Sequence, residues 1–544
     1  MAWRLTHSRF AWFAAARRSA SDSGIKRNIL IAVSLAILLR ICRRLRSLKD
    51  RVFRLFTNGY EKVVYLHKSV ASRALRQLVD SWLEKLPAEA CLAELRRYAD
   101  RVAPDPYVLV NIIVVALKMQ DVESARKYSA QLLSESTDSY GEHQQAAIWF
   151  FLRGHYDDAE KLWAKTAELR EQAIEREGLH LRNLRLLGPS WLLAIGHIAH
   201  IDIYIKNKIL TGNESQKSIV VMPHSGKVPN LTLLNCWKRY VDISTPNMRL
   251  GLNLRQIELL QDDFWSIRLS PGHTRMFSHA GALVQRAWED KGLPPLLSLE
   301  ADMEEQGWAQ LEAMGVPRNS WFVCLHVREA GFHKAWHEKH PSTRNADVLT
   351  YMMAVKTILD RGGYVVRMGD STMTPLPAMR GVIDYALSES KSEALDVFLC
   401  AKARFFIGTN SGLGLVPPIF GVPCAMTNWS PIALPQWYLK DRFIPKRIYS
   451  RPLKRFLNLT ELFSTQAGWE QFNDYFEKHD LDVVDNTAEE INTLILEMLN
   501  EMDGRVDSSA QDNHLLQAYN DLALRCGSYV GARIGLQFLR EYEV

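Results

Sequence analysis

Two apolar runs set what this chain can fold into. The first, Trp321-Phe-Val-Cys-Leu-His-Val327, ends in Arg328 and Glu329. The second, Ala403-Arg-Phe-Phe-Ile-Gly408, opens into Thr409-Asn-Ser-Gly412. Short apolar runs bounded by turn signals read as fully buried strands, and strands alternating with helical patterns indicate a parallel sheet. In an open α/β sheet, ligands bind at the carboxyl ends of the strands. An always-charged Arg at one strand end and a small-residue turn at the other therefore predict a diphosphate cleft. Backbone N–H groups of such a turn, opening a helix, favour anions.

The same alternation extends on either side. Ser218-Ile-Val-Val-Met222 ends at Pro223-His224, and Asn230 to Tyr240 has helical spacing. This opens a first Rossmann-like domain over 211–315, punctuated at its end by Pro294-Pro295 and Gly315-Val-Pro317. A second Rossmann-like domain covers 316–450: strand 321–327, a His-rich loop, helix 346–361, strand Gly363 to Asp370, then helix 391–402 ahead of strand 403–408. Residues 451–544 read as C-terminal helices, and Thr487 with Glu490 forms a capping box opening one of them.

Residues 61–210 read as helices only. Gln120-Asp-Val-Glu-Ser-Ala125 resembles His155-Tyr-Asp-Asp-Ala159 at a spacing of 34 residues, the tetratricopeptide period. A TPR-like array and an unrelated array of α-hairpins fit equally, and either offers a surface for a protein partner.

At 544 residues the chain exceeds a single core. Its seven cysteines are scattered, without a C-x-x-C pair, which points to a reducing compartment and away from structural zinc. The net charge of +6 is uneven: residues 1–60 hold 13 Lys/Arg against 2 Asp/Glu. A nucleic-acid binder carries its basic footprint on folded domains, so none is expected as a partner. The basic stretch instead flanks the apolar run Ile29 to Leu39, too short as a helix for the ~20 residues that span a bilayer. Residues 1–60 are thus expected to associate with a membrane surface, each basic residue near anionic lipid adding ~1 kcal/mol. The expected location is cytoplasmic, peripheral or monotopic at the inner face of the cell membrane.

From residue 218 to about 502 the chain resembles bacterial glycosyltransferases of surface-polysaccharide clusters. More distantly, 321–423 is similar to the donor-binding half of the O-fucosyltransferase and α1,6-fucosyltransferase superfamily. The residues that carry this are His326-Val-Arg328, Gly363-Tyr-Val-Val-Arg-Met-Gly-Asp370, and Asp396 through Ser411-Gly412. The resemblance implies a GT-B-type fold, with Arg328 on the donor β-phosphate, His326 and Asp396 holding the nucleoside, and Asn410, Ser411 and Gly412 at the diphosphate. Asp370 falls in the matched segments and joins the donor set. The chain would then transfer a sugar from a nucleotide-diphosphate sugar to a glycan or lipid-linked acceptor, with inversion, and with no cofactor.

Chemistry supports the same assignment. A bidentate guanidinium matches the charge that builds on a leaving diphosphate. The Asp480-Leu-Asp482 pair lies far from either strand edge, so the enzyme is expected to be metal-independent. Glu329 is the favoured acceptor base, with His224, His333 and Glu338 as alternatives; Arg344 and Arg367 are candidates for phosphate or acceptor contact. His333, His337 and His340 have metal-ligand spacing if helical, but Pro341 favours a loop. Trp429 and Trp437 suit either core packing or stacking on a base or sugar. The rival reading is a TPR-like scaffold with a degenerate domain that only binds nucleotide or glycan.

Overall fold

The computed structural model describes residues 70–101, 105–134, 139–245, 250–270, 273–331, 342–505, 509–526, 528 and 531–542. The basic segment 1–60 and His333 with its neighbours lie outside them. Among the described residues no helix is long and apolar enough to cross a membrane. The chain divides between Asp121 and Val122 into two compact units.

Of the first unit, the described residues include three helices, α1 (Val70–Lys85), α2 (Ala88–Arg101) and α3 (Pro106–Lys118). Asp105 caps α3 by accepting from Tyr107 N, and Pro106 supplies a first-turn residue that needs no N–H partner. Residues 108–117 of α3 are all buried and all apolar but Asn111, whose Nδ2 donates to Tyr107 O at 2.7 Å.

The second unit opens with α4 (Val122–Ser134), α5 (Tyr140–Leu152) and α6 (Tyr156–Arg176). Ala125 and Ala159 are both fully buried, and Arg126 pairs with Asp158 at 2.8 Å. The 34-residue spacing thus falls on equivalent first turns of α4 and α6; the tetratricopeptide reading itself stays a proposal.

Strand β1 (Leu184–Leu187) corrects the expectation that 61–210 is helical throughout. It is central in a parallel four-stranded sheet, order β3-β2-β1-β4, with β2 (Lys217–Val220), β3 (Asp242–Ile243) and β4 (Gln261–Asp262). The first sheet therefore begins upstream of residue 211. Helices α7 (Ile195–Ala199) and α8 (Ile201–Leu210) connect β1 to β2, and the hairpin β5 (Ser266–Ser270) and β6 (His273–Met276) follows β4. Then come α9 (Phe277–Asp290) and α10 (Ala301–Ala313).

The larger sheet has seven strands, all parallel, in the order β16-β12-β11-β10-β7-β8-β9. These are β7 (Phe322–His326), β8 (Tyr364–Arg367), β9 (Val382–Ile383), β10 (Phe406–Gly408), β11 (Cys424–Trp429), β12 (Arg442–Pro445) and β16 (Arg533–Ile534). Every residue of β7, β10 and β11 is buried, as expected where helices cover both faces of a parallel sheet. Among those helices are α11 (Met352–Asp360), α12 (Glu393–Lys402) and α13 (Ala488–Met502), the last opened by the Thr487–Glu490 capping box.

The C-terminal region is not helical alone, a second correction. It supplies the edge strand β16 and completes an antiparallel sheet of β13 (Arg447–Ser450), β14 (Arg455–Phe456) and β15 (Leu481–Val484). Asp482 sits on β15, ion-paired to Arg451.

Candidate functional site

Four neighbouring strands of the large sheet release the chain at one edge, and each exit contributes a polar side chain. Strands β7 and β10 pair with His326 opposite Gly408, and β10 and β11 with Gly408 opposite Met426. The carboxyl ends of β7 and β10 are therefore level, and β11 runs three residues further, to Trp429. Beyond β7, Arg328 N donates to Thr409 Oγ1 at 3.0 Å. Beyond β10, Asn410 Nδ2 donates to Ser430 O, just past β11, at 2.9 Å. Ser411 Oγ lies 3.2 Å from His326 Nδ1. Past β12, Lys446 Nζ donates to Asn345 O at 2.6 Å and pairs with Asp485 at 2.6 Å. Arg328 Nη1 reaches Asn345 Oδ1 at 2.5 Å, so Asn345 ties the β7 exit to the β12 exit. Thr343 Oγ1 and Ser430 Oγ, 2.6 Å apart, close the circuit.

The Ser411 bend is held from the smaller sheet's side. A Cβ on Gly196 of α7 would lie 2.7 Å from Gly412 Cα, closer than real Cβ contacts come. Only glycine permits that approach. The expected helix after Ser411 is short: a single 3-10 turn, Leu413–Leu415, and then Val416–Ile419. Any dipole contribution to anion binding is correspondingly small, which leaves the side-chain cations as the main attraction.

Burial weighs on each of those cations. Burial and the neighbouring positive charge of Arg344 push the Arg328 guanidinium down to about 10. Burial lowers Arg344 as well. Its Nε donates to Ser342 Oγ at 3.3 Å, and among the described residues it has no carboxylate partner. Two half-buried guanidiniums near one strand exit offer the planar, multiply donating geometry that suits a multivalent anion. His326 is pushed down to about 4 by burial and by Arg367, and is therefore neutral at pH 7, sharing one ring nitrogen with Ser411.

Several expected residues lie elsewhere. Arg367 is fully buried, paired with Glu329 at 2.9 Å and Asp384 at 3.1 Å, and its Nη2 also donates to Thr374 O. Its expected role as a phosphate or acceptor contact is corrected: no face of it reaches solvent. Glu329, the favoured base, keeps a partly exposed side chain, but both its oxygens are engaged. One of its oxygens takes Arg367 and the other takes Thr374 N and Oγ1, both at 2.8 Å. Asp370 accepts from Thr372 N at 2.8 Å beyond β8, and its charge also touches His326. Asp396, in the first turn of α12, is held by Lys391 at 3.0 Å, with burial raising its carboxyl. His224 is exposed in the loop after β2. Thus Arg328, Arg344, His326, Asn410, Ser411 and Gly412 gather at one edge, whereas Asp396 and His224 do not join them. Sequence reading missed Lys446, whose signal is the apolar Phe443-Ile-Pro445 run ending in a cation, and missed Thr409 and Ser430. No group of His, Cys, Asp and Glu among the described residues is arranged to hold a metal ion.

No protein-family model matches the chain, and comparison with curated proteins finds no match. Among solved structures, it is similar to a glycosyl transferase of family 9 from Veillonella parvula. The identity is 11%, over 45% of this chain and 79% of that one, with a TM-score of 0.29. It is also similar to the dodecameric iron-containing heptosyltransferase TibC in complex with ADP-D-beta-D-heptose, at 12% identity and a TM-score of 0.27. TibC from enterotoxigenic E. coli gives 14% identity and a TM-score of 0.26. Each TibC match covers 45% of this chain and 57% of TibC. These three are glycosyltransferases, and none is an O-fucosyltransferase.

Proposed function

We propose that the chain is a glycosyltransferase that takes a sugar from a nucleotide-diphosphate donor and passes it to a membrane-proximal or lipid-linked glycan. The observation that carries this reading is the placing of Arg328 and Arg344, both half-buried, at the strand exits of a parallel sheet that also present Asn410 and Ser411. As the sugar–phosphate bond breaks, charge builds on the β-phosphate oxygens. Guanidiniums fixed in advance stabilise that charge without reorganisation, at ~3–4 kcal/mol per donor. On this reading the cations stand where a metal ion would otherwise neutralise the leaving group. Inversion would follow from direct attack by the acceptor hydroxyl on the face opposite the diphosphate. The basic segment 1–60 favours an acceptor at a membrane surface, since anchoring raises its effective concentration.

The engagement of both Glu329 oxygens favours a second reading, a scaffold whose transferase-like domain binds nucleotide or glycan without turnover. One assay separates the two: release of nucleoside diphosphate from a panel of nucleotide sugars, with and without acceptor lipid extract. Turnover that disappears in Arg328→Ala supports the transferase. Binding of donor without turnover under any acceptor supports the scaffold.

A further inference from the structure

Directly behind the Asn410–Ser411 bend lies an apolar cavity of about 190 Å³. Its walls come from both sheets' surroundings, with Phe264, Phe277, Trp265, Trp429 and Trp437 prominent among them. The ring N–H groups of two are already used: Trp429 Nε1 donates to Leu434 O at 3.0 Å and Trp437 Nε1 to Ser278 O at 2.9 Å. Those indoles therefore bring flat apolar surface and no free donor.

The polar groups around the cavity are different. Gln436 is 8% exposed, and neither its amide nitrogen nor its amide oxygen has a hydrogen-bond partner. His200 Nδ1 and Ser278 Oγ are buried without a partner as well. Nearly all buried polar side-chain atoms in folded proteins are paired, so three such residues around one cavity call for a physical cause. The backbone at Gln436 is fixed: Ala532 N donates to Gln436 O at 3.2 Å, and Gly531 packs so closely that a Cβ there would sit 2.1 Å from that oxygen. Only the side chain is left to turn toward a partner in the cavity.

We propose that this cavity receives a planar nitrogen heterocycle, the base of the nucleotide donor, stacked among the aromatic walls with Gln436 reading its hydrogen-bonding edge. The inference rests on the donor reading above. A side-chain amide offers a donor and an acceptor side by side, which matches the paired donor and acceptor on the edge of a nucleobase. Stacking on aromatic side chains suits any base, so discrimination among bases falls to Gln436. A prenyl chain would fill the apolar volume but leave the amide unpaired. Asn410 and Ser411 line both the cavity and the cationic edge, so a base in the one and a diphosphate at the other belong to a single nucleotide.

The test uses the full chain and reads the intrinsic fluorescence of the wall tryptophans. Adenosine, guanosine, cytidine, uridine and thymidine are titrated singly, then as diphosphates, with a short prenyl alcohol as the competing occupant. One nucleoside is expected to quench preferentially, and Gln436→Leu, of similar volume, to weaken it at least about tenfold. Near-ultraviolet circular dichroism verifies that the variant is folded. Arg328→Ala is expected to leave nucleoside binding unchanged while weakening the diphosphate. No nucleoside response, a response only to the prenyl alcohol, or equal affinities in wild type and Gln436→Leu overturns the base site. If diphosphates still bind in an Arg328-dependent way in that case, the donor reading survives it. Conversely, Gln436-dependent nucleoside binding with no Arg328 effect on diphosphates sinks the donor reading and keeps the base site.

Discussion

Two corners of the large sheet, one strand apart, use the same residue type for opposite ends. At the β7 exit, Arg328 faces Asn345 and the positive charge of Arg344. At the end of the neighbouring β8, Arg367 is clasped between Glu329 and Asp384 with no solvent exposure. At the first corner the guanidinium meets a neutral amide, with a second guanidinium close enough to lower its pKa. In the second the guanidinium already has two carboxylate partners and a carbonyl, and it holds the loops after β7, β8 and β9 together. A strand-end arginine is thus not a functional mark in itself; its partners decide what it does.

The strongest way to break that contrast is Arg367→Ala. Removing one partner of a buried ion pair leaves uncompensated charge, so the variant is expected to lose about 3–5 kcal/mol in urea unfolding. A loss below about 1 kcal/mol would erase the distinction between the corners. Arg328→Ala should behave the other way: little change in melting temperature, but turnover lower by roughly 10²–10³-fold, with Arg328→Lys between it and wild type. A stability loss with unchanged turnover would reassign Arg328 to the structural class.

His326 sits between the corners and sharpens the comparison through pH. Its folded value of about 4 lies below the ordinary 6.5, so the unfolded chain binds more protons between those limits. Its contribution is therefore complete above pH 6.5 and is lost as pH falls toward 4, a change of about 3 kcal/mol. Denaturant melts across that range should show the slope, and His326→Asn should flatten it; parallel slopes would count against a buried neutral ring. The smallest effect is expected from Ser411→Ala: about 1 kcal/mol off diphosphate affinity by calorimetry, with stability nearly unchanged.

How far these corners could be read from the sequence depended on distance along the chain. Strands β7 and β10 were legible because buried parallel strands are unbroken apolar runs, and the α13 capping box because its two residues are three apart. Arg328 and Arg367 looked alike because each ends such a run, Leu-His-Val-Arg and Tyr-Val-Val-Arg. What separates them, Asp384 and Asn345 along with Arg344, is supplied by loops 17 residues away or folded in from elsewhere. Strand β1 was hidden for a different reason: four residues following Asn183, whose φ is +45°, give no period to detect inside a helical stretch. The two-residue β16 left even less. Gln436 gave no sequence signal, since an orphaned amide is a property of surroundings.

The contact between Gly196 and Gly412 has a mechanical consequence. Where side chains lie between neighbouring segments, they absorb small displacements by changing rotamer. Here main chain meets main chain, and nothing compressible lies between α7 and the bend. A shift of α7 toward the bend has little slack to take it up, which couples the position of Gly412 to the smaller sheet's connections.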